Sequence, residues 1–321
     1  MDIIEKIKNG EVRTATRFIR DIEDHGKDVN TVMKQLYPSI GRAHIIGFTG
    51  SPGAGKSTLI DAVIASFRNQ GKSVGALLVD PTSPFSGGAI LGDRIRMQRH
   101  TEDPDVFVRS LATRGAVGGL SKAVGNAIHV LDAMGKDIVI VETVGAGQQE
   151  LDIMNHAHTT IVVLVPGMGD DIQIIKAGIL EIADVFVINK ADHEGAEKLE
   201  GDLMAMLYMA NIPENNWTPP VIKVGNLNRD LFREEIESLV TQIKNHRQYF
   251  LNHKEIFAQI TRRRLLYEMN ETLRSTIFDP ILEKLMQNGK FEDIMTKIGK
   301  GESDPYTFAE GIAKKYLKSI K

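Results

Sequence analysis

Apolar and polar positions along this chain fall into blocks of two kinds. Short apolar runs that close on glycine, aspartate or asparagine read as buried strands, and longer stretches with apolar residues three or four apart read as helices. Residues 2 to 40 carry the helical spacing, in Phe18, Ile19 and Ile22 and then Val32 and Leu36, with breaks at Asn9-Gly10 and near His25-Gly26. This predicts a short helical prefix, 1–40, packed on a main domain. From Ile45 onward the two kinds of block alternate. Strands are expected at Ile45 to Phe48 and in VGALLVDP, DVFVRSLA, DIVIVET, TTIVVLV, ADVFVIN and PVIKV. Helices are expected through Leu59, Ile60, Val63 and Ile64 up to Gly71, then up to about Met134, then from Ile172 to Ile182. The alternation predicts an α/β fold over 41–230, a doubly wound, mostly parallel sheet with its ligands at the carboxyl ends of the strands. Beyond Leu231 the spacing is helical throughout. Ile236, Leu239, Val240 and Ile243 lie on one face, a second long segment runs from Lys254 to Gln287, and GESDPYTFAEGIAKKYL supplies a last turn and helix. This C-terminal extension, 231–321, is too narrow to make its own core and is expected to pack on the main domain or on another subunit.

Composition narrows the class. The chain has 321 residues, 42% hydrophobic and 25% charged, with a formal net charge of -3. That balance is ordinary for a soluble globular protein and argues against a general binder of nucleic acid or anionic membranes. With no cysteine, disulfides, thiolate zinc sites, iron–sulfur clusters and cysteine nucleophiles are excluded. The start, MDIIEKIKNG, lacks the continuous apolar core of a signal peptide, and no apolar run approaches membrane-spanning length. The cytoplasm is the expected location. The nine histidines form no ligand pattern, and the run Arg262 to Arg264 is too short to argue for nucleic acid.

The chemistry gathers where the strands end. Gly50, Ser51, Pro52, Gly53, Ala54, Gly55, Lys56, Ser57 and Thr58 follow an apolar run and open a helix, and Gly50, Gly55, Lys56 and Ser57 fit the phosphate-binding template GxxxxGK[ST]. Glycines let the backbone turn successive N–H groups toward phosphate oxygens, and the following helix offers its positive end to the same anion. Lys56 would reach the β- and γ-phosphates, and the Ser57 hydroxyl would ligate Mg²⁺. Asn189, Lys190 and Asp192 form NKAD at the end of a strand. An aspartate there can accept two hydrogen bonds from guanine, or simply cap a helix. Asp80 and Glu142 end strands and Asp93 lies in the loop between them, so these carboxylates would hold waters around a Mg²⁺ begun by Ser57. The alternative for Asp93 is a helix cap or an ion pair with a nearby arginine. Glu142 opens ETVG, where the Gly145 amide would bind the γ-phosphate and be released on hydrolysis. Gln148 either orients the attacking water or faces solvent. Asp170, Gln173 and Lys176 share one helix face, which from spacing alone reads as solvated.

Taken in order, GFTGSPGAGKSTLID, VDPTSPFSGGAILGDRIRM, ATRGAVGGL, VETVGAGQQE, VPGMGDDIQIIKAG and INKAD resemble the MeaB/ArgK-type GTPases, which are associated with methylmalonyl-CoA mutase and belong to the SIMIBI class of P-loop GTPases. The match covers about residues 41 to 225. The resemblance implies a GTP-hydrolysing chaperone that binds GTP or GDP with Mg²⁺ and serves an adenosylcobalamin-dependent acyl-CoA mutase. It would protect the mutase and gate the loading of its cofactor or the removal of inactivated cofactor, adenosylcobalamin itself belonging to the partner. It also implies a homodimer held through the C-terminal helices. Residues 81 to 99 would be switch I, 142 to 150 switch II and 167 to 180 a further switch, in which Asp170 and Lys176 match the family motif. That assigns catalytic roles to Lys56, Glu142, Gln148 and Lys176. One departure stands out: where the family has a Ser-Ala pair whose backbone contacts guanine, this chain has Gly225 and Asn226. The other readings of a phosphate loop are a kinase, against which NKAD argues, and a nucleotide-dependent interaction scaffold. A nickel-insertion GTPase would need the cysteine-containing metal site that this chain lacks.

Overall fold

The structure is a computed structural model that describes residues 2–80, 100, 102–112, 122–143, 152–167, 181–210, 212, 216–225, 229–287 and 289–316. Its frame is a seven-stranded sheet in which every pairing is parallel. The strands are β1 (His44–Gly50), β2 (Val74–Asp80), β3 (Val106–Ala112), β4 (Ile138–Thr143), β5 (Thr159–Leu164), β6 (Val185–Asn189) and β7 (Val221–Val224), in the spatial order β3-β2-β4-β1-β5-β6-β7. The chain leaves β1 for the β3 side and returns to the other side after β4. The winding therefore reverses around β1, and a crevice opens at its carboxyl end.

Strand side chains alternate between two apolar layers. Ile45, Val139 and Val162 join the layer covered by α1 (Ile3–Lys8), α2 (Val12–Glu23), α3 (Val29–Leu36), α5 (Lys122–Ala133) and α6 (Ala196–Met209). Ile46, Ile140 and Ile161 join the layer covered by α4 (Lys56–Asn69) and α7 (Arg229–Asn252). Burying one such side chain contributes about 1.5–3 kcal/mol relative to leaving it exposed. The strands are apolar on both faces because both faces are covered, which is why they read as continuous apolar runs.

Two polar ties fix the approach to β1 and the first helices. Asp132 of α5 accepts the Gly41, Arg42 and Ala43 N–H groups at 2.6, 3.1 and 3.0 Å. On β3, Arg109 donates to Glu23 at 2.6 Å and to the Thr16 carbonyl at 3.0 Å, anchoring α2 to the outermost strand.

Two elements depart from the sequence reading. The helix α6 lies between β6 and β7, a stretch to which the sequence reading gave no element. The long segment from Lys254 to Gln287 is interrupted: α8 (Lys254–Leu273) passes through a π-type turn at Arg274–Phe278 into α9 (Asp279–Gln287). Pro280 lacks the N–H for that helical turn and its ring crowds the Thr276 carbonyl, so the backbone widens there. Two shorter helices follow, α10 (Lys290–Gly299) and α11 (Pro305–Tyr316). The chain forms two compact units, Met1–Leu265 and Leu266–Lys321. No helix among the described residues is long and apolar enough to cross a membrane.

Candidate functional site: a phosphate loop joined to the NKAD strand end

The site is built at the carboxyl ends of β1, β4 and β6. β1 ends at Gly50, whose φ is 136°. A Cβ there would stand 2.1 Å from the Val163 carbonyl oxygen of β5, so only glycine allows the loop to leave so close to its neighbour. Gly55, at φ 83°, is constrained in the same way, since a Cβ would meet the Asn189 side-chain nitrogen at 2.4 Å. The loop then enters α4 at Lys56, whose first-turn N–H groups and dipole make an anion site.

Lys56 is buried, and its Nζ donates to the carbonyls of Gly50 at 2.6 Å and Ser51 at 3.0 Å. The ammonium thus lies across the mouth of the loop, where phosphate oxygens would accept from it instead. Ser57 Oγ donates to Glu142 Oε1 at 3.0 Å, and both residues are buried. Glu142 lies opposite Phe48 of β1 and Leu78 of β2 in the sheet register, and Asp80 closes β2 on the adjoining strand. The structure therefore brings Ser57 and Glu142 together, with the end of β2 beside them. These are hard oxygen donors of the kind Mg²⁺ takes alongside water and phosphate. Among the described residues no three His, Cys, Asp or Glu side chains form a metal cluster, and a cation held largely by nucleotide and water needs none.

NKAD meets the same loop from the other side. Asn189, buried at the end of β6, donates from Nδ2 to the Ala54 carbonyl at 2.7 Å. Its Oδ1 has no hydrogen-bond partner among the described residues. Lys190 takes the left-handed conformation at φ 54° and donates to the Gly53 carbonyl at 3.1 Å, laying its stem along the loop. Asp192 stands beside Gly225, where a Cβ would approach Asp192 Oδ1 to 3.3 Å. The sequence reading placed Gly225 and Asn226 where the family's backbone contacts guanine. In the structure the Gly225 N–H is already engaged, donating to Glu235 Oε2 of α7 at 2.8 Å. Burial pushes the Glu235 pKa up, the Gly225 N–H pulls it back, and the Asp192 charge pushes it up again.

A cleft of about 380 Å³ opens between these parts, lined by Gly55, Thr58, Asn189, Lys190, Arg229 and Phe232. Arg229, Phe232 and Glu235 escaped the sequence reading. Their spacing of three, on the first turns of the helix that follows the last strand, is the signal that could have found them. Asp93, Gly145, Gln148, Asp170, Gln173, Lys176 and Asn226 lie outside the described residues, as does the side chain of Asp80.

A glycine-bound phosphate loop, a serine joined to a strand-end carboxylate, and an NKxD strand end clasping the loop define a P-loop GTPase. A family model described as methylmalonyl Co-A mutase-associated GTPase MeaB matches residues 13–289, and the chain belongs to that family. A relative from Pyrococcus abyssi that carries a GTPase name is 45% identical over 319 residues, covering 98% of this chain and 96% of that protein. The mitochondrial methylmalonic aciduria type A homolog of Caenorhabditis elegans is 34% identical over 213 residues, 64% of this chain and 53% of that protein. Among solved structures, a LAO/AO transport system kinase superposes with a TM-score of 0.69 at 22% identity over 97% of this chain and 95% of that one, a likeness of fold.

Proposed function

We propose that this GTPase is a Mg²⁺-dependent switch that acts as a chaperone of an adenosylcobalamin-dependent acyl-CoA mutase of the methylmalonyl-CoA type. It would protect the mutase and gate the loading or exchange of the cofactor. The observation that carries the reading is the junction of three parts at one sheet edge: Lys56 across the phosphate loop, Ser57 on Glu142, and Asn189 on Ala54. Membership of a mutase-associated family supports the client class.

In the proposed mechanism Ser57 would hold a Mg²⁺, with Asp80, Asp93 and Glu142 ordering its waters, and the ion would supply positive charge against the phosphates of the nucleotide. Lys56 moves its ammonium from the loop carbonyls to the phosphate oxygens and stabilises the charge that grows there. Asp192 accepts from the guanine edge while Asn189 holds the base-reading strand end against the loop. Gly145 donates to the γ-phosphate and Gln148 orients the attacking water. Asp170 and Lys176 complete the site when the mutase docks, so the chain alone turns over slowly. The protein is cytoplasmic and works as a homodimer in this reading. Exposed apolar side chains on the second unit, including Leu273, Ile277, Phe278 and Met295, support a helical surface made for a second copy.

The test is GTP turnover by the purified protein, alone and with an adenosylcobalamin-dependent methylmalonyl-CoA mutase. A slow rate that rises severalfold with the mutase supports the assignment, whereas GTP hydrolysis indifferent to the mutase would send the search to mutases acting on other acyl-CoA substrates. Lys176→Ala is expected to bind GTP normally and to lose the stimulation. Full stimulation of that variant would remove the role given to residues 167 to 180.

A further inference from the structure

The cleft beside the phosphate loop has a third wall that the motifs do not provide. Gly55 and Thr58 bracket the end of the loop at which α4 begins, and Asn189 and Lys190 form the base-reading end. A nucleotide whose phosphates lie on residues 50 to 57 and whose base reaches Asp192 must pass its ribose and base through the space between them. That space is closed by α7, through Arg229 and, one turn later, Phe232.

Phe232 is suited to such a wall. It is half-buried, packed against the apolar layer that also holds Leu59, Val63 and Ile236. The ring is therefore anchored on one side by the core and faces the cleft on the other. A ring held this way has little side-chain entropy left to lose when a ligand stacks on it. Glu235, one turn further along, accepts the Gly225 N–H at 2.8 Å and fastens the start of α7 to the end of β7 beside Asp192. The wall and the base-reading aspartate are thereby held in register. Lys190, its stem already laid along the loop by the bond to Gly53, lines the same cleft.

We infer that Phe232 is a nucleoside-binding residue: the purine packs between the Phe232 ring and the Lys190 stem, with Arg229 at the ribose side of the same wall. The inference rests on the nucleotide site described above and extends it to a helix outside the loop and strand-end motifs. Stacking uses the face of the base and is indifferent to its exocyclic groups. Phe232 accordingly contributes affinity for the purine nucleoside, while Asp192 supplies the preference for guanine.

Calorimetric titration of the full chain with GDP, with IDP and with tripolyphosphate separates these roles, because the last has phosphates and no nucleoside. Phe232→Ala is expected to weaken GDP and IDP by the same factor, about tenfold, and to leave tripolyphosphate unchanged. Phe232→Trp is expected to restore both nucleotides. Should the alanine variant not fold, Phe232→Leu keeps the apolar contact with the core but has no ring, and carries the same test with a smaller loss. Unchanged GDP affinity in either variant overturns the inference, and so does an equal loss of tripolyphosphate, which would mean that the loop had been disturbed instead. Lys56→Ala is the control for the nucleotide site itself. If that variant bound all three ligands as the parent does, the phosphate-loop assignment would fail, independently of Phe232.

Discussion

The two edges of one sheet solve opposite problems with buried polar groups. At the carboxyl edge, Lys56, Ser57, Glu142 and Asn189 are buried among glycines and bonded to loop carbonyls or to one another, in arrangements that a phosphate, a cation or a base can replace. At the amino edge the polar groups are bonded among themselves and roofed by aromatic rings. His44 Nε2 meets Thr159 Oγ1 at 2.8 Å, Thr159 Oγ1 meets His246 Nδ1 at 2.9 Å, and His246 Nε2 lies 3.2 Å from Asp184. Trp217 packs on His246 with ring centroids 4.9 Å apart and donates to the Asp184 carbonyl at 2.7 Å, and Phe250 packs on His44, His158 and Phe257. Arg264 closes the group with a hydrogen bond to His158. The helix α7 serves both edges, Phe232 and Glu235 at one end and His246 and Phe250 at the other. The contrast teaches that a buried polar group at a strand's carboxyl end is a functional candidate when a ligand atom can take its partner's place, and a structural one when its bonds close into a side-chain net under aromatic rings.

The sharpest way to break the comparison is Lys56→Ala. It should cut single-turnover GTP hydrolysis by about 10²–10³-fold, the usual cost of losing a charge stabiliser, while leaving the urea midpoint nearly unchanged. A large fall in stability instead would place Lys56 with the structural groups. At the other edge Thr159→Val should do the reverse. It leaves His44 and His246 without their shared hydroxyl and should cost about 1–3 kcal/mol in urea unfolding, with GTP binding unaltered.

The amino edge should also respond to pH. Burial first, and neighbouring positive charge from Arg247 and His246, hold His44 well below its ordinary value; burial first and then Arg264, with His44, Arg247 and His246 behind it, do the same for His158. Burial lowers His246 to about 4. Groups lowered on folding contribute stability that is full above their unfolded value near 6.5 and lost as pH falls through the folded value. Asp184 acts in the opposite sense. Burial raises it to about 7, against the pull of the Thr160 N–H and Arg263, so its share of stability is present below its ordinary value of 3.8 and lost as pH rises through about 7. With three histidines against one aspartate, thermal unfolding should move to lower temperature between pH 7 and pH 5. Asp184→Asn should steepen that fall and His246→Gln should flatten it.

The smallest effect is expected from Glu235→Gln. The amide oxygen can still accept the Gly225 N–H, so GDP affinity should change by less than about threefold. A larger loss, with Glu235→Ala no worse, would show that the carboxylate acts through its charge beside Asp192 and not as an acceptor.

Much of the carboxyl edge was legible without coordinates. A phosphate loop must be contiguous, because successive backbone N–H groups do the binding, so Gly50 to Ser57 announce themselves in one stretch. NKAD is readable for the same reason, and the strands show because both faces of a parallel sheet are covered. The amino edge was not legible. His44 and Thr159 are 115 residues apart, Thr159 and His246 are 87 apart, and a histidine spacing read locally says nothing about them. Nor was the engagement of Gly225 by Glu235, a contact across 10 residues that depends on how α7 leaves β7.

The sequence by itself thus determined the sheet, the order of its glycine turns and the class of ligand, since each is a property of neighbouring residues: backbone freedom, periodicity, and a helix that follows a strand. Only the tertiary structure decided that Ser57 meets Glu142, that Asn189 clasps Ala54, that α7 walls the cleft beside the phosphate loop and that three histidines share one buried corner. Those contacts depend on which strands lie side by side and at what register, and that is set by the packing of the two apolar layers over the whole chain, which no local pattern records.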